Sequence, residues 1–234
     1  MTRATPVVLV ASNFPPVRGG SASVYAALAR CAGGQVMVLA PQVNYADGLP
    51  IIGWREYDRQ APFQVRRIPL LRTIIADSPP RGLRRLLFLA WDAALRVRVA
   101  AALLRLRTAI GPLTLCIGEL LASSWIIRLF RHVPGIRIVA YVHGEEITTA
   151  NPGDPGNRTG HQALQRCDAV IVVCRFTLAA VVALLGGPAS RDRPGGQIRL
   201  IENGVDNSRF TPGEKSAALL ERYGLTGAFV FVSV

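Results

Sequence analysis

The chain has 234 residues, 50% hydrophobic and 7% aromatic, enough core-forming sequence for one large α/β domain and too apolar for a disordered chain. The formal net charge of +12 is carried by arginine, Lys215 being the one lysine; it fits either a compositional preference for arginine or an anionic partner. Cys31, Cys116, Cys167 and Cys174 form no CxxC pair and have no histidine at metal-ligand spacing, so buried reduced thiols are expected and no metal site is.

Residues 7–11 are a continuous apolar run, too short for a signal-peptide core and without a small-residue cleavage site after it, so a cytoplasmic location is expected. The run reads as a strand buried on both faces, at home in a parallel sheet and stopped by Asn13-Phe14-Pro15-Pro16. After Gly19-Gly20, Ser21 is placed to cap a helix running to about residue 32, where Gly33-Gly34 ends it before a strand at 35–40. Further strands are expected at 63–68, 113–117, 137–142, 169–173 and 199–201, with helices between most of them and Thr177 as one N-cap. This alternation predicts an α/β fold with a doubly wound, Rossmann-like parallel sheet, whose ligands sit beyond the carboxyl ends of the strands.

Segments 44–62 and 151–160 read as irregular surface loops. Residues 228–234 look like a buried strand that opens a second sheet or pairs at an edge of the first.

Between residues 81 and 107 a Leu-, Ala- and Arg-rich helix is expected. At 100° per residue, Arg81, Arg84, Arg85, Arg96, Arg98, Arg105 and Arg107 share a broad arc with Phe88, Trp91, Leu95 and Leu103, while Leu86, Ala90, Val97 and Leu104 line the opposite side. The arginines exclude a membrane-spanning helix. Two readings stay open: an amphipathic helix covering the sheet, or an interfacial helix on an anionic membrane surface.

The ligand edge carries the chemistry. Gly19 and Gly20 let the backbone approach a ligand, and the helix that follows offers unpaired N–H groups to phosphate. Neither GxGxxG nor a Walker loop is present. At the end of the strand at 137–142, His143 can hydrogen-bond a substrate hydroxyl, Gly144 permits close approach and Glu145 can accept sugar hydroxyl protons. Arg175 stands at another strand end, where it can pair with phosphate or remain solvated. Ile201-Glu202-Asn203-Gly204 has the character of a linker turn.

In their order, Gly19-Gly20, His143-Gly144 and Asn203-Gly204-Val205-Asp206 with Arg209-Phe210 resemble the N-terminal, acceptor-side domain of the GT-B retaining glycosyltransferases, family 4 type. The resemblance implies that residues 1–212 form the acceptor-side domain and that 213–234 are a linker and the first strand of a missing C-terminal GT-B domain. It implies transfer of a hexosyl group from a nucleotide-diphosphate sugar to a sugar or lipid-linked hydroxyl acceptor, without a cofactor or metal. Gly19 and Gly20 would lie against the donor diphosphate and sugar, and His143 would approach that sugar as the catalytic group. Asn13, Glu119, Glu145 and Arg175 are the acceptor-lining candidates. Further expectations are inactivity of this chain alone, peripheral placement at the inner membrane face, a role in polysaccharide biosynthesis and no nucleic-acid partner, the basic residues being dispersed. A sugar-nucleotide epimerase of the same architecture, using Glu119 and Glu145, and a stand-alone carbohydrate- or lipid-binding domain are the alternatives.

Overall fold

The computed structural model describes residues 5–74, 82–149, 154–187 and 197–231. The chain divides into two compact units, Met1–Glu202 and Asn203–Val234. The first is built on seven parallel strands: β1 (Val7–Val10), β2 (Val36–Pro41), β3 (Val65–Ile68), β4 (Leu113–Ile117), β5 (Ile136–Val142), β6 (Ala169–Val172) and β7 (Gln197–Leu200). Their spatial order is β3-β2-β1-β4-β5-β6-β7. Each predicted apolar run in this unit became a strand, with ends displaced by a residue or two.

Alternation along β1 shows why the sheet is covered on both sides. Val8 and Val10 join one apolar cluster with Leu95, Val99 and Leu103 of α3 (Leu83–Ile110) and with residues of α4 (Ser124–Phe130), α5 (Glu145–Thr148), α6 (Arg158–Gln165) and α7 (Arg175–Leu184). Leu9 and Ala11 join a second cluster with Tyr25, Ala26 and Ala29 of α1 (Gly20–Cys31). A strand buried on both faces has no polar side to show, and each fully buried Val or Leu contributes about 2 kcal/mol. Order reverses between β1 and β4, so the crevice of this doubly wound sheet opens beyond the carboxyl ends of those two strands.

Several local expectations differ. Segment 44–62 contains α2 (Trp54–Gln60), entered through Gly53 in the left-handed region; the helix buries no residue completely, so no apolar periodicity announces it. Residues 151–153 of the second expected loop lie outside the described residues. Beyond them, the backbone N–H of Thr159 donates to both Asp154 carboxylate oxygens at 3.2 and 2.9 Å, and α6 begins already at Arg158. Helix α1 starts at Gly20 with Gly19 as its cap; Ser21 sits inside the first turn and its hydroxyl accepts from Asn13 instead of capping. Helix α7 is capped by Cys174, whose sulfur accepts from the Thr177 N–H, so Thr177 is the capped residue and not the cap. Cys116 and Cys167 are buried as expected, whereas Cys31 is exposed and Cys174 is half-buried.

The long basic helix forms, but its orientation needs correction. Leu95 and Leu103, assigned to the arginine arc, belong to the stripe buried against the sheet, together with Val99 and Leu106. Leu86, Val97 and Leu104 face solvent. The arginines therefore flank the core-facing stripe. Arg81 lies outside the described residues.

In the second unit Asp206 closes a turn, its Oδ1 accepting from the Ser208 N–H at 3.0 Å and the Ser208 hydroxyl at 2.6 Å. Helix α8 (Ala217–Arg222) follows, with the Ser216 hydroxyl accepting from the Leu219 N–H. Residues 228–231 form no strand, and 232–234 lie outside the described residues.

Candidate functional site

The turn after β1 is held from beneath. Phe14 is fully buried, edge-on to Tyr57 and Phe63 at 6.0 and 6.2 Å between ring centroids. Arg67 of β3 lies beneath it with a side chain only 2% exposed, paired to Asp58 at 2.8 Å. The same guanidinium donates to the Pro41 carbonyl at 3.0 Å and the Pro15 carbonyl at 2.5 Å, joining the ends of β1 and β2 to α2. A planar group with five donors can satisfy this set where an ammonium cannot. Sequence reading missed Arg67, because one arginine among 26 carries no local signal of burial.

This support presents Gly19 and Gly20 at the head of α1. A Cβ on Gly19 would lie 2.9 Å from Asn13 Nδ2, whereas one on Gly20 would meet nothing within 4 Å. Asn13 Nδ2 donates to the Ser21 hydroxyl at 3.0 Å, so Asn13 braces the Gly-Gly turn. No side chain caps α1.

Across the switch point Glu119 follows β4, and its carboxylate accepts from the backbone N–H groups of Ser12 at 2.9 Å and Asn13 at 3.3 Å. It thereby ties the end of β1 to the end of β4. Burial pushes its pKa up to about 7, against the lowering effect of those two N–H groups and of the Arg72 charge. Arg72 stacks over the Tyr45 ring at 4.4 Å, and its Nε is buried without a hydrogen bond among the described residues.

His143 follows β5 and reaches back to α1. Its Nε2 lies 2.9 Å from the Tyr25 hydroxyl, which donates to the Gly118 carbonyl at 2.6 Å. The Tyr25 ring also makes an edge contact with the imidazole, 5.4 Å between centroids. Burial holds the His143 pKa below its ordinary value and the nearby Glu145 charge opposes this only in part, so the ring is neutral at pH 7. Gly144, at φ 117°, is a position for glycine alone: a Cβ there would also stand 2.8 Å from Thr177 Oγ1, which donates to the His143 carbonyl at 3.2 Å.

The crevice thus gathers Asn13, Gly19, Gly20, Glu119 and His143 at one edge. Glu145 and Arg175 follow the carboxyl ends of β5 and β6 but are exposed. The more sheltered carboxylate is Glu146, which accepts from the Gly144 N–H at 3.1 Å and whose pKa burial raises. Tyr25, Arg72 and Glu146 were not foreseen; Tyr25 had one available signal, being the single aromatic on the apolar face of the first helix. Among the described residues no three His, Cys, Asp or Glu side chains converge as metal ligands.

Solved structures share this fold. A UDP-glucosyltransferase from Polygonum tinctorium capable of glucosylating indoxyl superposes with a TM-score of 0.54 at 12% identity, over 93% of this chain and 56% of its own. The Anabaena protein HepE, solved with UDP and glucose, gives a TM-score of 0.55 at 14% identity, over 95% of this chain and 51% of its own. The chain has the fold of one GT-B half. It spans about half the length of these proteins. No protein-family model matches the sequence, and no curated protein matches it. Within this GT-B half, the crevice at the β1–β4 switch point is the edge at which ligands of doubly wound sheets bind.

Proposed function

We propose that this chain is the acceptor-side half of a retaining GT-B glycosyltransferase, transferring a hexosyl group from a nucleotide-diphosphate sugar to a hydroxyl acceptor. The observation that carries the reading is the meeting of Gly19-Gly20 and His143 at one crevice, in a fold shared with proteins solved with UDP and glucose. The uncapped N–H groups at the head of α1 supply positive potential for the donor diphosphate, and the open space over Gly20 admits it. Neutral His143, buttressed by Tyr25, offers Nδ1 to a hydroxyl of the transferring sugar. Asn13 and Glu119 line the acceptor side.

Charge stabilisation here comes from fixed dipoles and not from a metal, as the resemblance implies. The donor nucleotide would be held mainly by the other GT-B half. The test is calorimetric titration of the chain with UDP-glucose and GDP-mannose, alone and with a separately expressed second half, alongside a transfer assay. We expect transfer only with both halves, lost on His143→Ala. Failure of the paired halves to transfer, with affinity of this chain for a glycan or glycolipid, would replace the reading with a binding domain.

A further inference from the structure

Helix α3 carries two apolar seams, and only one meets the sheet. Its 28 residues span about 42 Å, and its four buried residues, Leu95, Val99, Leu103 and Leu106, all lie at or beyond Leu95, leaving the first three turns without one. On the opposite side a second seam runs at helical spacing through Leu83, Leu86, Ala90, Val97 and Leu104. Leu83 is 71% exposed, Leu86 63%, Val97 67% and Leu104 43%, and Leu87 beside them is 62% exposed. A solvent-facing seam of this length on a 28-residue helix is not the scattered surface leucine of ordinary proteins.

Charge decides which occupant fits. Arg98 and Arg105 stand exposed beside this seam, and Arg84 and Arg85 are exposed on the first turn of the helix. The single acid of the helix, Asp92, is neutralised by Arg96 at 2.7 Å. A second copy laid along the seam would set arginine against arginine in a chain already at +12. An anionic bilayer surface accepts both features, the apolar seam entering the acyl boundary and the arginines meeting headgroup phosphates. No described helix is long and apolar enough to cross a membrane. Beside the seam, a groove of about 400 Å³ lined by Trp91, Val97, Arg98, Ile68 and Leu70 extends this surface to the carboxyl end of β3, the edge of the sheet that holds the crevice.

We infer that α3 is a membrane-docking helix, lying in the interface of an anionic bilayer with Leu83, Leu86, Leu87, Val97 and Leu104 inward. The inference is independent of the transfer reaction, since docking requires no donor. It also reverses the side of the helix that faces lipid relative to the aromatic-bearing arginine arc.

The test is co-sedimentation of the chain with phosphatidylcholine vesicles, with and without phosphatidylglycerol. We expect partition onto the anionic vesicles, reduced at least tenfold by Leu86→Glu with Val97→Glu, and about fivefold by each of Arg98→Gln and Arg105→Gln. These side chains are exposed, so circular dichroism and thermal melting of the variants should match the parent. Absence of partition onto anionic vesicles would overturn the inference, as would partition indifferent to the Leu86 and Val97 changes. A dimer in sedimentation velocity that those changes dissolve, without vesicle binding, would assign the seam to self-association instead.

Discussion

The Tyr25 hydroxyl stands between the Gly118 carbonyl, to which it donates at 2.6 Å, and His143 Nε2 at 2.9 Å. A phenol has one proton, and the carbonyl takes it. His143 must then donate through Nε2–H, which leaves Nδ1 as the accepting nitrogen of the neutral ring. Nitrogen-15 NMR of the imidazoles, assigned with His143→Gln, should show His143 as a single Nε2–H tautomer. In Tyr25→Phe the tautomers should mix, and stability should fall by about 1–3 kcal/mol as the Gly118 carbonyl loses its donor. An unchanged tautomer in that variant would remove Tyr25 from the site.

Glu119 and His143 act on stability with different signs. Glu119, raised by burial from 4.5 to about 7, holds a proton in the folded chain that the unfolded chain has already released. Its contribution is complete below the unfolded value and is lost as pH rises through about 7, amounting to about 3 kcal/mol at 1.4 kcal/mol per pH unit. His143, lowered by burial, works the other way: below its ordinary value the unfolded chain binds a proton that the folded chain refuses, so stability falls as pH drops through that range. Denaturant melts across pH 4 to 9 should show a shallower upper limb in Glu119→Gln, with Glu146 carrying what remains of it, and an unchanged lower limb.

Removing Arg67 should loosen the floor of the site. Arg67→Ala strands Asp58 and two carbonyls in a buried setting, at a cost of about 4 kcal/mol or about 10 °C in Tm. Arg67→Lys should recover little, because one ammonium cannot reach all three partners. A Tm within error of the parent for either variant would show that Phe14 alone anchors the loop.

Gly20→Ala separates folding from binding. Open space surrounds its Cβ position and alanine is the better helix former, so the variant should melt at or slightly above the parent temperature. The added methyl occupies the space assigned to the donor diphosphate, and affinity for UDP-glucose in the paired halves should drop about tenfold. Unaltered affinity would place the donor elsewhere.

The sheet was legible in the sequence because a strand buried on both faces must be a short unbroken apolar run, and the runs at Val7, Leu113 and Ala169 announce themselves without reference to anything distant. Gly19-Gly20 and His143 were legible for a related reason: they stand immediately after such runs, and connectivity alone carries them to the carboxyl edge. Local polarity misled where it competed with distant packing. Ser21 has the chemistry of a cap but spends its hydroxyl on Asn13, and α2 is too polar on all sides to show a period.

What the sequence determined by itself is therefore the alternation of strands and helices and the set of residues brought to one edge, since both follow from short-range pattern and chain direction. Tertiary structure alone decided that Tyr25 orients His143, that Arg67 lies buried beneath the Pro15 turn, that Glu119 joins β1 to β4, and which seam of α3 is left to solvent. Each of these depends on contacts between residues far apart in the chain, where burial and hydrogen-bond geometry, and not residue type, set the role of a side chain.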